Sequence, residues 1–390
     1  MTAKHGLRRR CCRCSSGLPF TSSYPALMGG RRTVRGGLAR GLLWQGQGGG
    51  PGGQSDHGAH CSVAVPMVSA PASPRIGVGT WAWGNQLLWG YDPAKDGELR
   101  QCFQRAVALG LHFFDTADSY GTGRFNGRSE TLLGQFCSEL APADRQALTL
   151  ATKLAPFPWR LGRQGFRSAF AASHQRLKGH LDLVQLHWST ARYAPWQEGP
   201  LLDGLVDRQL AGDVAAVGVS NLGPARLRQV HRHMQERGVA LRSLQVQLSL
   251  LAPQPVQPGG LADLCQELGV ELIAYSPLAL GLLTKPAGDR PPWPPGPRGL
   301  LYRRLWNGCQ PLLAALGSIA GDRGVSQAAV ALNWCRAHGA MPIVGLRRSD
   351  QVDGAAAALS WELGADERKL LDATSASLAV AMPTNPFQSR

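Results

Sequence analysis

The first 55 of the 390 residues contain no aspartate and no glutamate. Lys4, Arg8, Arg9, Arg10, Arg13, Arg31, Arg32, Arg35 and Arg40 meanwhile give this stretch nine positive charges. They account for more than half of the formal net charge of +15. The modest excess left on the rest of the chain calls for no polyanion, so no nucleic-acid partner is expected. The leader also lacks the continuous apolar segment of a secretory signal and has neither alternating nor helical periodicity. A basic, serine-containing, acid-free N-terminus has the composition of an organelle transit peptide. Residues 1–72 are therefore expected to be a cleaved leader and linker, and residues 73–390 one folded domain. The glycine run Gly46–Gly53 follows no strand, so it reads as flexible linker and not as a phosphate cradle.

Other absences narrow the chemistry. No segment has the apolar length of a membrane helix, so no transmembrane segment is expected. Nine cysteines are present, but "CCRC" at Cys11–Cys14 has no downstream pair at zinc spacing. Cys61, Cys102, Cys137, Cys265, Cys309 and Cys335 are scattered, as free thiols in a reducing compartment would be. His231 and His233 stand two apart, on different faces of a helix, and no metal site is expected. There is no GxSxG elbow for acyl transfer. "WAWGNQLLWGYD" follows the first apolar run where a Rossmann sheet would carry GxGxxG.

What is present is a rhythm. Short apolar runs occur at "RIGVGTW", "LHFFDT", "LTLATK", "DLVQLHW", "AAVGVSN", "SLQVQLSLL", "ELIAYSP" and "MPIVGL", with longer amphipathic segments between them. In one of these, Leu99, Phe103, Ala106, Val107 and Leu109 lie near helical spacing and Gly110 closes the segment. Alternating strands and helices imply parallel pairing under a helical cover. Eight strands favour an α/β fold of the (β/α)8 TIM-barrel class. Gly288–Trp306, rich in proline, is expected to be a long loop after strand seven, and about Pro311 to Ala337 to be extra helix.

Barrel sites gather at the C-terminal ends of strands. There stand Asp115 with Tyr120 just beyond, Lys153, His187, Ser220 with Asn221, Gln245, and Tyr275 with Ser276. A tyrosine of ordinary acidity donates poorly at neutral pH. A neighbouring Lys153 ammonium would favour the phenolate and bring Tyr120 down, Asp115 would hold Lys153, and His187 would orient a substrate oxygen. Such a group suits proton delivery to a carbonyl that is receiving hydride.

These segments resemble the aldo-keto reductase superfamily from Pro74 to Ser360, in particular its plant and algal plastid members, including pyridoxal reductase-like ones. "FFDTADSYG", "SETLLG", "TKLAP", "LVQLHW", "VGVSN", "QVQLSLL" and "IAYSPLALGLLTKP" stand in family order. The resemblance implies NADPH-dependent reduction of an aldehyde or ketone, with a tetrad of Asp115, Tyr120, Lys153 and His187 and Tyr120 as general acid. It implies that Ser220, Asn221 and Gln245 hold the nicotinamide carboxamide and that Tyr275 stacks on the ring. Ser276, Pro277, Leu278 and Gly281 match the stretch around the pyrophosphate. Gly345, Arg347 and Gln351 match the 2′-phosphate site, with Arg348 an additional cation. Arginine there favours NADPH over NADH. Gly354 and Ala355 stand where many members contact adenine through Glu or Asn. Trp81, Trp83, Trp89, Trp159 and Trp188 either line the substrate cavity or pack loops against the rim. The same resemblance implies the chloroplast stroma as destination, with the cytoplasm as alternative, and a monomer or weak oligomer. A cofactor-binding sensor or regulatory partner with little turnover is the alternative function.

Overall fold

The computed structural model describes residues 75–389, and the leader expectation lies outside them. Eight strands form a closed, wholly parallel barrel: β1 Gly77–Gly79, β2 Phe113–Asp115, β3 Thr149–Leu154, β4 Leu183–Leu186, β5 Ala216–Ser220, β6 Leu241–Gln247, β7 Glu271–Tyr275 and β8 Met341–Gly345. Each apolar run of the sequence supplies one strand. Closure occurs through β1, where Gly77 pairs with Phe113 of β2 on one side and Ile343 of β8 on the other.

The period-2 alternation of each strand divides the side chains between two cores. Phe113, Ala151, Leu183, Ile273, Met341 and Ile343 fill the barrel interior. Phe114, Leu150, Val184, Val217 and Leu244 face outward into the larger core beneath the helices. Gly77 has no side chain because there is no room for one: a Cβ would lie 2.7 Å from Phe113 Cδ1 and 2.8 Å from Ile343 Cγ2.

Gly288–Trp306 is not all loop. Residues Pro297–Leu305 form a helix, with Pro297 at a first-turn position where its missing N–H costs nothing. The other prolines of the segment precede that helix, and its Tyr302 and Leu305 are buried. The extra helical stretch is two helices, Gln310–Arg323 and Gln327–Ala337. Gly324, at φ +64°, ends the first, and Ser326 caps the second by accepting from Ala329 N–H.

Candidate active site

In β2, alternation sends Phe113 inward, Phe114 outward and Asp115 inward again, one layer nearer the mouth. The same alternation in β3 places Lys153 above Ala151. Lys153 and Asp115 meet as a fully buried ion pair, each side chain 1% exposed. Lys153 Nζ also donates to the Thr116 carbonyl at 2.8 Å, and Asp115 Oδ1 accepts from Gln245 Nε2 at 2.8 Å. A buried pair of this kind depends on such further hydrogen bonds to its remaining lone pairs and protons.

Tyr120 stands above this pair, with the Lys153 ammonium 5.0 Å from its ring centre. The His187 ring lies 5.9 Å away, edge to face. The glycine after the tyrosine has a local cause. Gly121 takes φ +120°, and a Cβ there would lie 1.8 Å from the Phe125 carbonyl oxygen. Gly121→Ala should therefore strain the turn carrying Tyr120, costing about 1–3 kcal/mol of stability in denaturant unfolding.

The charge states differ from the sequence expectation in one respect. Burial, reinforced by the Asp115 and Asp118 carboxylates, pushes the Tyr120 phenol well above its ordinary value. The shift is opposite to the lowering by Lys153 expected from the sequence, because burial penalises the charged phenolate. Burial also holds His187 well below its usual range, helped by Lys153 and Arg160. Burial lowers Lys153, against the opposing effect of Asp115. A protonated phenol beside a neutral imidazole is the result.

Every tetrad and cofactor candidate named from the sequence lines one cavity of about 1090 Å³ at the C-terminal mouth of the barrel. In the same cavity, Asn221 and Ser276 adopt φ of +61° and +54°, a backbone conformation uncommon outside glycine. Tyr275 Oη donates to Asn221 Oδ1 at 2.8 Å, and Asn221 Nδ2 donates to the His187 carbonyl at 3.0 Å. Ser220 Oγ donates to the Gln245 carbonyl at 2.9 Å. Beyond β8, Gln351 accepts from the Arg347 backbone N–H, and Arg347 Nη1 donates to the Trp89 carbonyl, both at 2.9 Å.

Residues 75–376 match the Aldo/keto reductase family. The chain belongs to that family. It is 46% identical over 329 residues to the chloroplastic pyridoxal reductase of Arabidopsis thaliana, an alignment covering 84% of this chain and 89% of the relative. It is 31% identical over 295 residues to the 6-dehydroglucose reductase of Novosphingobium aromaticivorans, covering 73% and 87%. Among solved structures, a glycerol dehydrogenase from Gluconobacter oxydans superposes with a TM-score of 0.66 at 24% identity, over 82% of this chain and 96% of that one. A Bombyx mori aldo-keto reductase, solved in complex with NADP, gives 0.57 at 20%, over 77% and 88%. The protein is thus an oxidoreductase acting on carbonyl compounds, in a family that uses NAD(P)H.

This aldo/keto reductase has two features that sequence reasoning missed. Arg298, from the helix after the proline-rich loop, lies 4.3 Å from the centre of the Trp89 ring, and Arg347 lies 5.2 Å from the same ring. Among the described residues neither guanidinium pairs with a carboxylate, and Arg298 Nε and Trp89 Nε1 are buried without partners. Burial, then repulsion from Arg298 and Arg348, lowers Arg347. The second feature is the C-terminal segment, whose Met382–Phe387 form part of the cavity wall. Of the tryptophans, Trp81, Trp89 and Trp188 line the cavity. Trp83 instead packs in the reductase core with its Nε1 on the Leu346 carbonyl, and Trp159 is 73% exposed.

Proposed function

We propose that the protein reduces an aldehyde or ketone to the alcohol with NADPH, Tyr120 acting as general acid. The observation that carries this reading is the protonated Tyr120 beside neutral His187, above a sealed Lys153–Asp115 pair, in a cavity that also contains two uncompensated arginines. NADPH, when bound, supplies the hydride. The chain supplies the proton. As negative charge gathers on the carbonyl oxygen, Tyr120 Oη releases its proton to that oxygen, because an alkoxide is a far stronger base than a phenolate. Lys153 stabilises the phenolate left behind, and Asp115 keeps Lys153 charged and aimed. His187, neutral, offers a ring nitrogen to orient the substrate oxygen without competing for the proton.

For the cofactor, Ser220, Asn221, Gln245 and Tyr275 would hold the nicotinamide end. Ser276, Pro277, Leu278 and Gly281 would follow the pyrophosphate. Gly345, Arg347 and Gln351 would receive the 2′-phosphate, with Arg298 adding a second guanidinium. Two unpaired arginines and an unpartnered indole N–H fit an anion better than a bare ribose. Arg347→Ala should raise the Kd for NADPH about 10- to 100-fold, the worth of a charged hydrogen bond, and barely move NADH. Equal losses for both nucleotides in fluorescence titration would remove the 2′-phosphate role.

Pyridoxal is the first aldehyde to test. It is a flat heteroaromatic ring, the cavity has Trp81, Trp89 and Trp188 in its walls, and a relative of 46% identity carries the name pyridoxal reductase. The acid-free leader and that relative's chloroplastic designation support import into the plastid, with residues 1–72 removed and 73–390 retained. The deciding assay is NADPH oxidation by leaderless protein with pyridoxal and an activated aromatic aldehyde. Tight NADPH binding without turnover would replace the reductase by a cofactor-sensing protein.

A further inference from the structure

The last residues of the chain return to the mouth of the barrel, where one side chain, Asn385, bonds to two others that line the cavity. Asn385 Nδ2 donates to Tyr275 Oη at 2.6 Å and to Asn221 Oδ1 at 3.1 Å. Its Oδ1 accepts from the Phe387 backbone N–H at 2.9 Å, so both ends of the amide are in use. The flanking contacts are to backbone. Met382 N–H reaches the Leu251 carbonyl at 2.7 Å, Ser389 N–H reaches the Asn221 carbonyl at 2.9 Å, and Gln388 Nε2 reaches the Leu222 carbonyl at 3.1 Å. Of the tail's hydrogen bonds, those of Asn385 reach the side chains of Asn221 and Tyr275, the pair assigned above to the nicotinamide end.

The turn that Asn385 closes determines where Phe387 goes. Its ring stacks on Trp188 with centres 4.4 Å apart and planes 23° from parallel. Trp188 directly follows His187, and their rings lie 5.0 Å apart. The indole N–H of Trp188 donates to Tyr193 Oη at 2.9 Å, whose hydroxyl donates to the Pro156 carbonyl, so Trp188 is held from behind. Trp81 lies 6.4 Å from the Tyr120 ring. The proton-donating end of the cavity therefore has near it the Trp81 indole and a stacked pair, of which Phe387 is the member carried by the tail.

We infer that Asn385 is a positioning residue, latching the C-terminal segment onto Asn221 and Tyr275, and that the latched segment completes through Phe387 an aromatic wall selecting flat, ring-bearing aldehydes over small aliphatic ones. The inference rests on the reductase reading for its choice of substrate class, while the latch itself rests on contacts within the protein. A chain end gives up a stacking surface more readily when one of the contacts that hold it is lost, because the released residues regain conformational entropy. A single amide thus governs both the aromatic wall and the order of the nicotinamide anchors.

The test compares wild type, Asn385→Ala, Phe387→Ala and Phe387→Trp in leaderless protein. Benzaldehyde and propanal are the substrates, and hydrogen–deuterium exchange is followed over residues 383–389. In Asn385→Ala and Phe387→Ala, the preference for benzaldehyde, as the ratio of kcat/KM values, should fall about tenfold through KM, the scale of one lost aromatic pair. Phe387→Trp should keep the preference. Amide exchange over the tail should quicken at least tenfold in Asn385→Ala and much less in Phe387→Ala, where the latch remains. Unchanged exchange in Asn385→Ala would overturn the latch, and an unchanged substrate ratio in both alanine variants would overturn the wall. If the wild type bound NADPH yet reduced neither aldehyde, the reductase reading and the wall would fall together, and the exchange data would still judge the latch.

Discussion

Tyr120→Phe is expected to lower kcat for carbonyl reduction by about 10²- to 10⁴-fold, the contribution of a positioned general acid. The variant keeps the ring that packs near Trp81 and His187, so the fold and NADPH affinity should be nearly those of the wild type. What it lacks is the phenolic proton. No other side chain takes over readily. His187 is neutral, and Lys153 is sealed beneath by Asp115 and the Thr116 carbonyl. A full rate in the variant, measured as NADPH oxidation at saturating aldehyde, would remove Tyr120 from the mechanism. The wild-type pH profile carries a related expectation. Tyr120 stays protonated well beyond its ordinary range, and His187 stays neutral well below its own, so neither contributes an inflection near neutrality. Any alkaline decline of kcat should then report Lys153, the base that burial lowers.

Asp115→Asn should have the second largest effect, on stability and rate together. The carboxylate takes Lys153 on one oxygen and Gln245 on the other, inside the barrel and out of water. Removing its charge leaves an ammonium buried without a counter-ion, which costs about 3–5 kcal/mol. Denaturant unfolding measures that cost directly. The sign on the pH axis also follows. Asp115 raises Lys153 against the lowering effect of burial, so losing it lowers Lys153 further. The alkaline limb of kcat should therefore move to lower pH in Asp115→Asn. A variant as stable as wild type, with its limb unmoved, would show that the pair neither supports the fold nor tunes the acid.

These expectations draw unequally on sequence and structure. All eight strands were legible, because an apolar run bounded by turn residues is a local signal, and so were the polar residues that end them. Alternation then settled which of those residues point inward: Phe113 and Asp115 share a face by strand geometry alone. The helix at Pro297–Leu305 was missed because four prolines upstream dominated the segment, although Pro297 itself stands at a position proline tolerates well.

The amino-acid sequence by itself determined the order of strands, the inward-facing polar residues and the family, since each depends on neighbours a few residues apart. Tertiary structure alone decided that the Tyr120 phenol is pushed up and not down, because desolvation is a property of the space that closes around a group. It also brought Arg298 to Trp89 and Arg347, and Asn385 to Asn221, 164 residues away in the chain. No local pattern encodes such contacts. They exist because closing the barrel brings loops from distant strands, and the end of the chain, to a single mouth.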